Sequence, residues 1–288
     1  VNLHDPTYVA ARTVLLDALD ALADHRNALI LVGAQAVYLR TEPLDGYQDF
    51  TTDADLAVDP GILGDRPGLE EAMRQAGFRL LNENTGKPEP GIWEARVPAP
   101  DRTEDFIIPV DLIVPEAVAP PGGQRGARLG GQHGKRAARR AIGLEGALVD
   151  NSPVEIPALA AGDPRSTVIK VAGEAALIVS KVHKIGDRTT RPDRLRDKDA
   201  ADTVRLFMSS DAAEIAVRFA LLLNDDRSAG VTRQAIDRLD PLFGTPRSLG
   251  TAMAVRALQG ALPRDTVVAV CLAFVTDLRR RLKEAGLI

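Results

Sequence analysis

The chain has a single cysteine, Cys271, so no disulfide framework can form within it, which accords with a reducing cytoplasm. Its longest apolar run, Val267 to Val275, is far too short to cross a bilayer, and no membrane partner is expected. Residues Val1 to Pro6 have neither a basic stretch nor an apolar one, so no signal peptide is expected there. An excess of positive charge is missing too. Lys and Arg number 36 against 40 Asp and Glu, for a net charge of −4, so any nucleic-acid contact must come from a local patch. Four scattered histidines outline no metal cage, and there is no Walker-type phosphate loop, G-x-S-x-G or C-x-x-C.

What is present is an ordinary globular balance, 45% hydrophobic and 26% charged, over 288 residues. That length buries one large core or two modest ones. Tyr8, Ala11, Leu15, Leu19 and Leu22 recur at helical spacing and predict a helix from residue 6 to about 25. Ala28 to Val32 predicts a buried strand that turns at Gly33 into a helix over Ala34 to Arg40. Asp53 to Asp59 alternates acidic and apolar residues, the period of a half-buried strand. A helix near Leu69 to Ala76 and strands near 78–81, 93–97, 107–114, 154–159 and 168–171 complete an α/β half. Residues 115–141, rich in Gly and Pro, read as a long, partly mobile loop. From Gly173 onward the pattern is helical almost throughout. The expectation is therefore an α+β protein, with a mixed-sheet domain over 1–165 and a helical domain over 166–288.

Chemistry concentrates first in Thr51-Thr52-Asp53-Ala54-Asp55. On a strand, positions i and i+2 share a face, so the two carboxylates project together and repel unless a cation lies between them. A hard divalent ion such as Mg²⁺ resolves that repulsion, and the alternative is a solvent-facing polar edge. Gly33-Ala34 opens a helix directly after a strand, a place where backbone N–H groups bind phosphate, or simply a turn. Asp111 stands alone in the apolar run Ile108 to Val114, where a carboxylate is costly unless paired or metal-bound. Lys181, Lys184 and Arg188 fall at i, i+3 and i+7, either a positive stripe or a solvated helix face. Asp199 and Asp202 also share a face. Trp93 reads as packing, and Cys271 as an inert core thiol.

The order Gly33, Thr51-x-Asp53-x-Asp55 and then Asp111 resembles the polymerase-β nucleotidyltransferase superfamily. Within it, the chain is similar to AbiEii-like toxins, including the MenT type. Ala175 to Lys184 with Arg188 resembles their lysine motif, and Lys198-Asp199-Ala200-Ala201-Asp202 their final aspartate motif. The likeness runs from about residue 28 to 206, and Gly33-Ala34 departs from the usual Gly-Gly or Gly-Ser turn. The resemblance implies an N-terminal polymerase-β-type domain, and transfer of a nucleoside monophosphate from an NTP to a hydroxyl, with pyrophosphate released. It implies Mg²⁺ or Mn²⁺ on Asp53, Asp55 and Asp111, with Lys181 and Asp199 as further catalytic groups. Nucleotide binding would fall to Gly33, Ala34, Thr51, Thr52, Lys184 and Arg188. A tRNA 3′ end is the implied acceptor and an antitoxin protein the implied partner. Arg125, Arg128, Lys135, Arg136, Arg139 and Arg140 are the positive set from which an RNA surface would be built. The competing readings are a non-catalytic RNA- or nucleotide-binding module, and transfer to a protein or small molecule.

Overall fold

The computed structural model describes residues 4–99, 104–122 and 125–288. The chain divides into two compact units. One contains residues up to Gln35, 48–141 and 152–171, and the other contains 36–47, 142–151 and 172–288. The first unit thus extends to Val171, and the second takes two short stretches that interrupt it in sequence.

In the first unit, α1 (Pro6–Ala21) starts where the Asp5 carboxylate accepts from the Thr7 N–H at 2.7 Å, with Pro6 in the first turn. It ends earlier than its apolar spacing predicts, and a short 3-10 segment over Ala23–Ala28 leads into β1 (Leu29–Val32). All four β1 residues are buried aliphatics, as suits a strand interior to a sheet. The helix α2 (Gly33–Arg40) follows without a linker, and from Ala36 on its residues belong to the second unit. Then come β2 (Ala54–Val58), α3 (Leu69–Gln75), β3 (Arg79–Leu80), β4 (Ile92–Val97), β5 (Phe106–Pro115), β6 (Arg139–Ala141), β7 (Asn151–Pro157) and β8 (Ser166–Ala172). The sheet runs β3-β4-β5-β2-β1-β8-β7, with β6 added beside β5. It is mixed: β1 is antiparallel to β2, whereas β2 with β5, β1 with β8 and β5 with β6 are parallel. The apolar side of α1 packs on β5 and β2, so the central strands carry the core.

The stretch expected to be a loose loop is ordered over its described part. Ala127, Leu129, Ala137 and Ala138 are buried between the basic residues, which gives the segment a small apolar face. Its Ala127 N–H donates to the Ala138 carbonyl at 2.9 Å, its Arg140 N–H to Arg125 at 2.9 Å, and the indole of fully buried Trp93 to Ala137 at 2.9 Å. The segment is a ribbon folded onto the sheet, and β6 is its last part.

The second unit is built from α4 (Glu174–Gly186), α5 (Asp197–Ser209), α6 (Ala212–Asn224), α7 (Ala229–Phe243), α8 (Leu249–Ala257) and α9 (Arg264–Glu284). Helix α4 packs against α5 and α7, and Phe207 of α5 stacks on Phe274 of α9 with ring centres 4.1 Å apart. No helix among the described residues is long and apolar enough to cross a membrane.

Candidate functional site

The acidic residues of the sheet unit come together through strand register. Asp55 on β2 is the ladder partner of Asp111 on β5, and paired residues on neighbouring strands project to the same face. Asp53 lies just before β2. Asp53 and Asp55 are half-buried while Ala54 and Leu56 are buried, so the two acids keep the alternation expected of them. On its other side Asp55 pairs with Val32, the last residue of β1, which places it beside the turn into α2.

That turn requires glycine. Gly33 has φ of +72°, and a Cβ there would lie 2.0 Å from the Asp55 Oδ2, so the carboxylate rests where any larger residue would put its side chain. Two residues on, the Gln35 amide donates to the Asp53 carbonyl at 3.1 Å. Its own Oε1 accepts from the Arg12 Nε at 2.9 Å, and Arg12 also reaches the Pro157 carbonyl and the Tyr8 hydroxyl. Arg12 and Gln35 are both buried, and burial lowers the Arg12 pKa against the opposing pull of Tyr8. Nothing in the sequence reading pointed to this pair. Its one signal is a lone arginine between Ala11 and Val14 on an otherwise apolar helix face.

Thr51 is buried, and its hydroxyl donates to the Asp53 Oδ1 at 2.7 Å. It therefore aims the Asp53 carboxylate. Thr52 is exposed, and Ala34 is buried in the first turn of α2.

Arg139, one of the six cations expected to form an RNA surface, bonds the Asp111 Oδ2 through both its Nε and its Nη2, at 3.1 and 2.5 Å. Strand β6 sets this up by pairing Arg139 with Ile113, two residues beyond Asp111 and on the same face. Gly91 lets the ribbon come so close: its φ is +73°, and a Cβ there would lie 2.2 Å from the Arg139 nitrogen. Arg140 is likewise held by Glu116 at 2.6 Å, and the more exposed Arg125 by Glu89 at 2.9 Å. Of the six basic residues, Arg125, Arg128, Lys135 and Arg136 are exposed, and Arg139 and Arg140 are only partly so.

The three acids offer oxygen donors only, the chemistry a hard divalent cation takes, and Asp53 and Asp55 fit such an ion by their shared face. Asp111 fits by register but is engaged by Arg139. As the side chains stand, no three His, Cys, Asp or Glu groups among the described residues are gathered into an ion cage.

In the helical unit, a second charged group surrounds Lys181. This lysine is buried, and its Nζ lies 2.6 Å from Asp202 and 3.2 Å from Asp199. Burial alone would lower its pKa, but the charges of Asp202 and Asp199 outweigh burial and raise it. Burial would likewise raise Asp199, yet Lys181 and Lys184 together hold it below the usual carboxylate range. Asp199 is thus engaged as the counter-ion of the cations around it. Helix α4 stops at Gly186, so Arg188 lies beyond it, but Arg188 still meets Asp199 at 3.3 Å, as Lys184 does at 2.9 Å. Lys184 and Arg188 are the accessible cations of this group, and Lys181 is not. Asp202, fully buried, makes the shorter contact to Lys181, and its Oδ1 has no hydrogen-bond partner.

His183 is buried in the same unit, bonded to the Val231 carbonyl at 2.7 Å, and burial lowers its pKa. Cys271 is buried, which pushes its thiol up to about 11 and leaves it unreactive, as its helical spacing predicts. No protein-family model matches the chain, and no curated protein matches it in sequence.

Proposed function

We propose that the chain is a polymerase-β-type nucleotidyltransferase that moves a nucleoside monophosphate from an NTP to an acceptor hydroxyl. One observation carries this reading. Asp55 and Asp111 are ladder partners on adjacent parallel strands, with Asp53 two residues before and a strand-to-helix turn at Gly33 alongside. Mg²⁺ or Mn²⁺ held by Asp53 and Asp55 would neutralise triphosphate charge and make a bound hydroxyl more acidic. Thr51 and Gln35 keep Asp53 aimed, one through its side chain and one through its carbonyl. The first turn of α2 presents backbone N–H groups to a phosphate oxygen. Asp111, once released by Arg139, would complete the acidic set that activates the acceptor hydroxyl. By the resemblance, that acceptor is a tRNA 3′ end and an antitoxin protein is the partner. Arg128, Lys135 and Arg136 are exposed cations that an RNA backbone could meet.

The test is to incubate the protein with each labelled NTP, Mg²⁺ and total RNA, following both pyrophosphate release and the macromolecule that becomes labelled. Asp53→Ala and Asp55→Ala should each abolish release while circular dichroism stays that of the parent. Wild-type release by either variant would refute the assignment. The Arg139–Asp111 pair favours one other reading, a nucleotide-binding module in which an arginine has permanently replaced a cation. Nucleotide binding without any pyrophosphate release would select it.

A further inference from the structure

We propose that Arg139 is a displaceable counter-ion that competes with a divalent cation for Asp111. The inference rests on the reading above only in taking Asp53, Asp55 and Asp111 as the cation-binding set.

Three carboxylates on one face of a sheet repel each other when no cation is present. The chain carries its own relief for one of them. Two guanidinium nitrogens sit on a single oxygen of Asp111, a charge-assisted contact stronger than a neutral hydrogen bond. The pair is only partly buried, with side-chain exposures of 29% for Arg139 and 15% for Asp111. Partial exposure matters, because a half-solvated guanidinium can leave its partner for water, whereas a fully buried one cannot. The backbone beneath it has no such freedom: β6 is in ladder register with β5, and Gly91 lies against the Arg139 nitrogen. The geometry is therefore that of a fixed base with a long arm, able to swing off and return to one place.

Two consequences separate this arrangement from a static ion pair. A divalent ion held by Asp53 and Asp55 would gain Asp111 only when the guanidinium departs. An anion would hold the departed guanidinium better than water does, and the phosphate oxygens of a polyphosphate are the chemistry that a planar, multi-donor fork recognises. Arg139 thus ties occupation of the third carboxylate to arrival of a polyanion.

The experiment is Mn²⁺ titration of the full chain, reading free Mn²⁺ by electron paramagnetic resonance, with inorganic tripolyphosphate absent and present. The proteins are wild type, Arg139→Gln, Arg139→Lys and Asp111→Asn. Arg139→Gln should tighten the weaker Mn²⁺ binding by about 10- to 100-fold, the range over which groups behind metal ligands tune affinity. Arg139→Lys, which keeps the charge but loses the fork, should fall between. Adding Asp111→Asn to Arg139→Gln should cancel the gain. Tripolyphosphate should narrow the gap between wild type and Arg139→Gln. Unchanged Mn²⁺ affinity in the folded arginine variants would overturn the proposal, and if Arg139→Gln fails to fold, Arg139→Lys alone decides. Tighter Mn²⁺ binding with no pyrophosphate release from any NTP would leave this inference standing and remove the transferase reading. Release without any effect of Arg139 on Mn²⁺ would do the reverse.

Discussion

Replacing Lys181 by methionine would remove the one buried cation between two buried carboxylates while nearly preserving side-chain length. Asp199 would keep Lys184 and Arg188, at 2.9 and 3.3 Å. Asp202, fully buried and bonded to Lys181 at 2.6 Å, has no other cation within ion-pair distance in the described structure and already has one oxygen without a partner. Removing one member of a buried pair costs about 3–5 kcal/mol, because the other charge is left uncompensated. For a protein of 288 residues that corresponds to a melting temperature lower by roughly 5–8 °C. The assay is urea and thermal denaturation followed by far-ultraviolet circular dichroism, which reports the helices. The decisive partner is the double variant Lys181→Met with Asp202→Leu, in which both charges are gone. Apolar replacement of a whole buried pair is often neutral or stabilising, so the double variant should recover most of the loss. A single variant as stable as wild type, or a double variant no better than the single, would refute the view that Lys181 works by pairing in the interior.

Gly33→Ala should destabilise the sheet unit by about 1–3 kcal/mol through its positive φ alone, and it should weaken cation binding further by displacing Asp55; a melt and a Mn²⁺ titration read the two effects. Gln35→Leu strips Arg12 of one acceptor and Asp53 of one donor, for a loss of about 1–3 kcal/mol in urea denaturation, and an unchanged midpoint would contradict the network. Burial lowers the pKa of His133 and of His183 from 6.5, so the folded state binds fewer protons than the unfolded one. Their contribution is present above pH 6.5 and is lost as pH falls from there toward the folded values. Asp199 is lowered from 3.8, so its contribution is present above that value and is lost at more acid pH. A melting series from pH 8 to 3 should therefore fall in two stages, and His133→Gln should shrink only the first.

The pattern of residues announced the strands that matter most. Leu29–Val32, Ala54–Val58 and Phe106–Pro115 are all visible in apolar runs and alternation, and so is the shared face of Asp53 and Asp55. Strand β6 was hidden because Arg139-Arg140-Ala141 has no apolar alternation. Its pairing depends on β5, more than twenty residues earlier, and on a glycine at position 91 whose importance is purely steric. The six basic residues looked like one patch because sequence shows charge without its partner, and Glu89, Asp111 and Glu116 lie far back along the chain. Lys181 was readable in part. It falls four residues after Leu177 and four before Ile185, on a stripe that the structure buries, and that spacing argues for an interior lysine needing acids.

The two compact units are interleaved along the chain: six segments alternate between them, so the polypeptide passes from one to the other five times. Neither unit can be excised by a single cut. A fragment ending at residue 165 would lose all of β8 and carry 36–47 and 142–151 without the helices they belong with. During synthesis the same threading imposes an order. The sheet unit lacks its last strand until Ala172 has emerged, and the stretches 36–47 and 142–151 must wait for helices encoded after them. Early-emerging segments of the helical unit therefore spend the longest time unsatisfied on a growing chain, where exposed apolar residues such as Val37 and Leu148 invite chaperone binding.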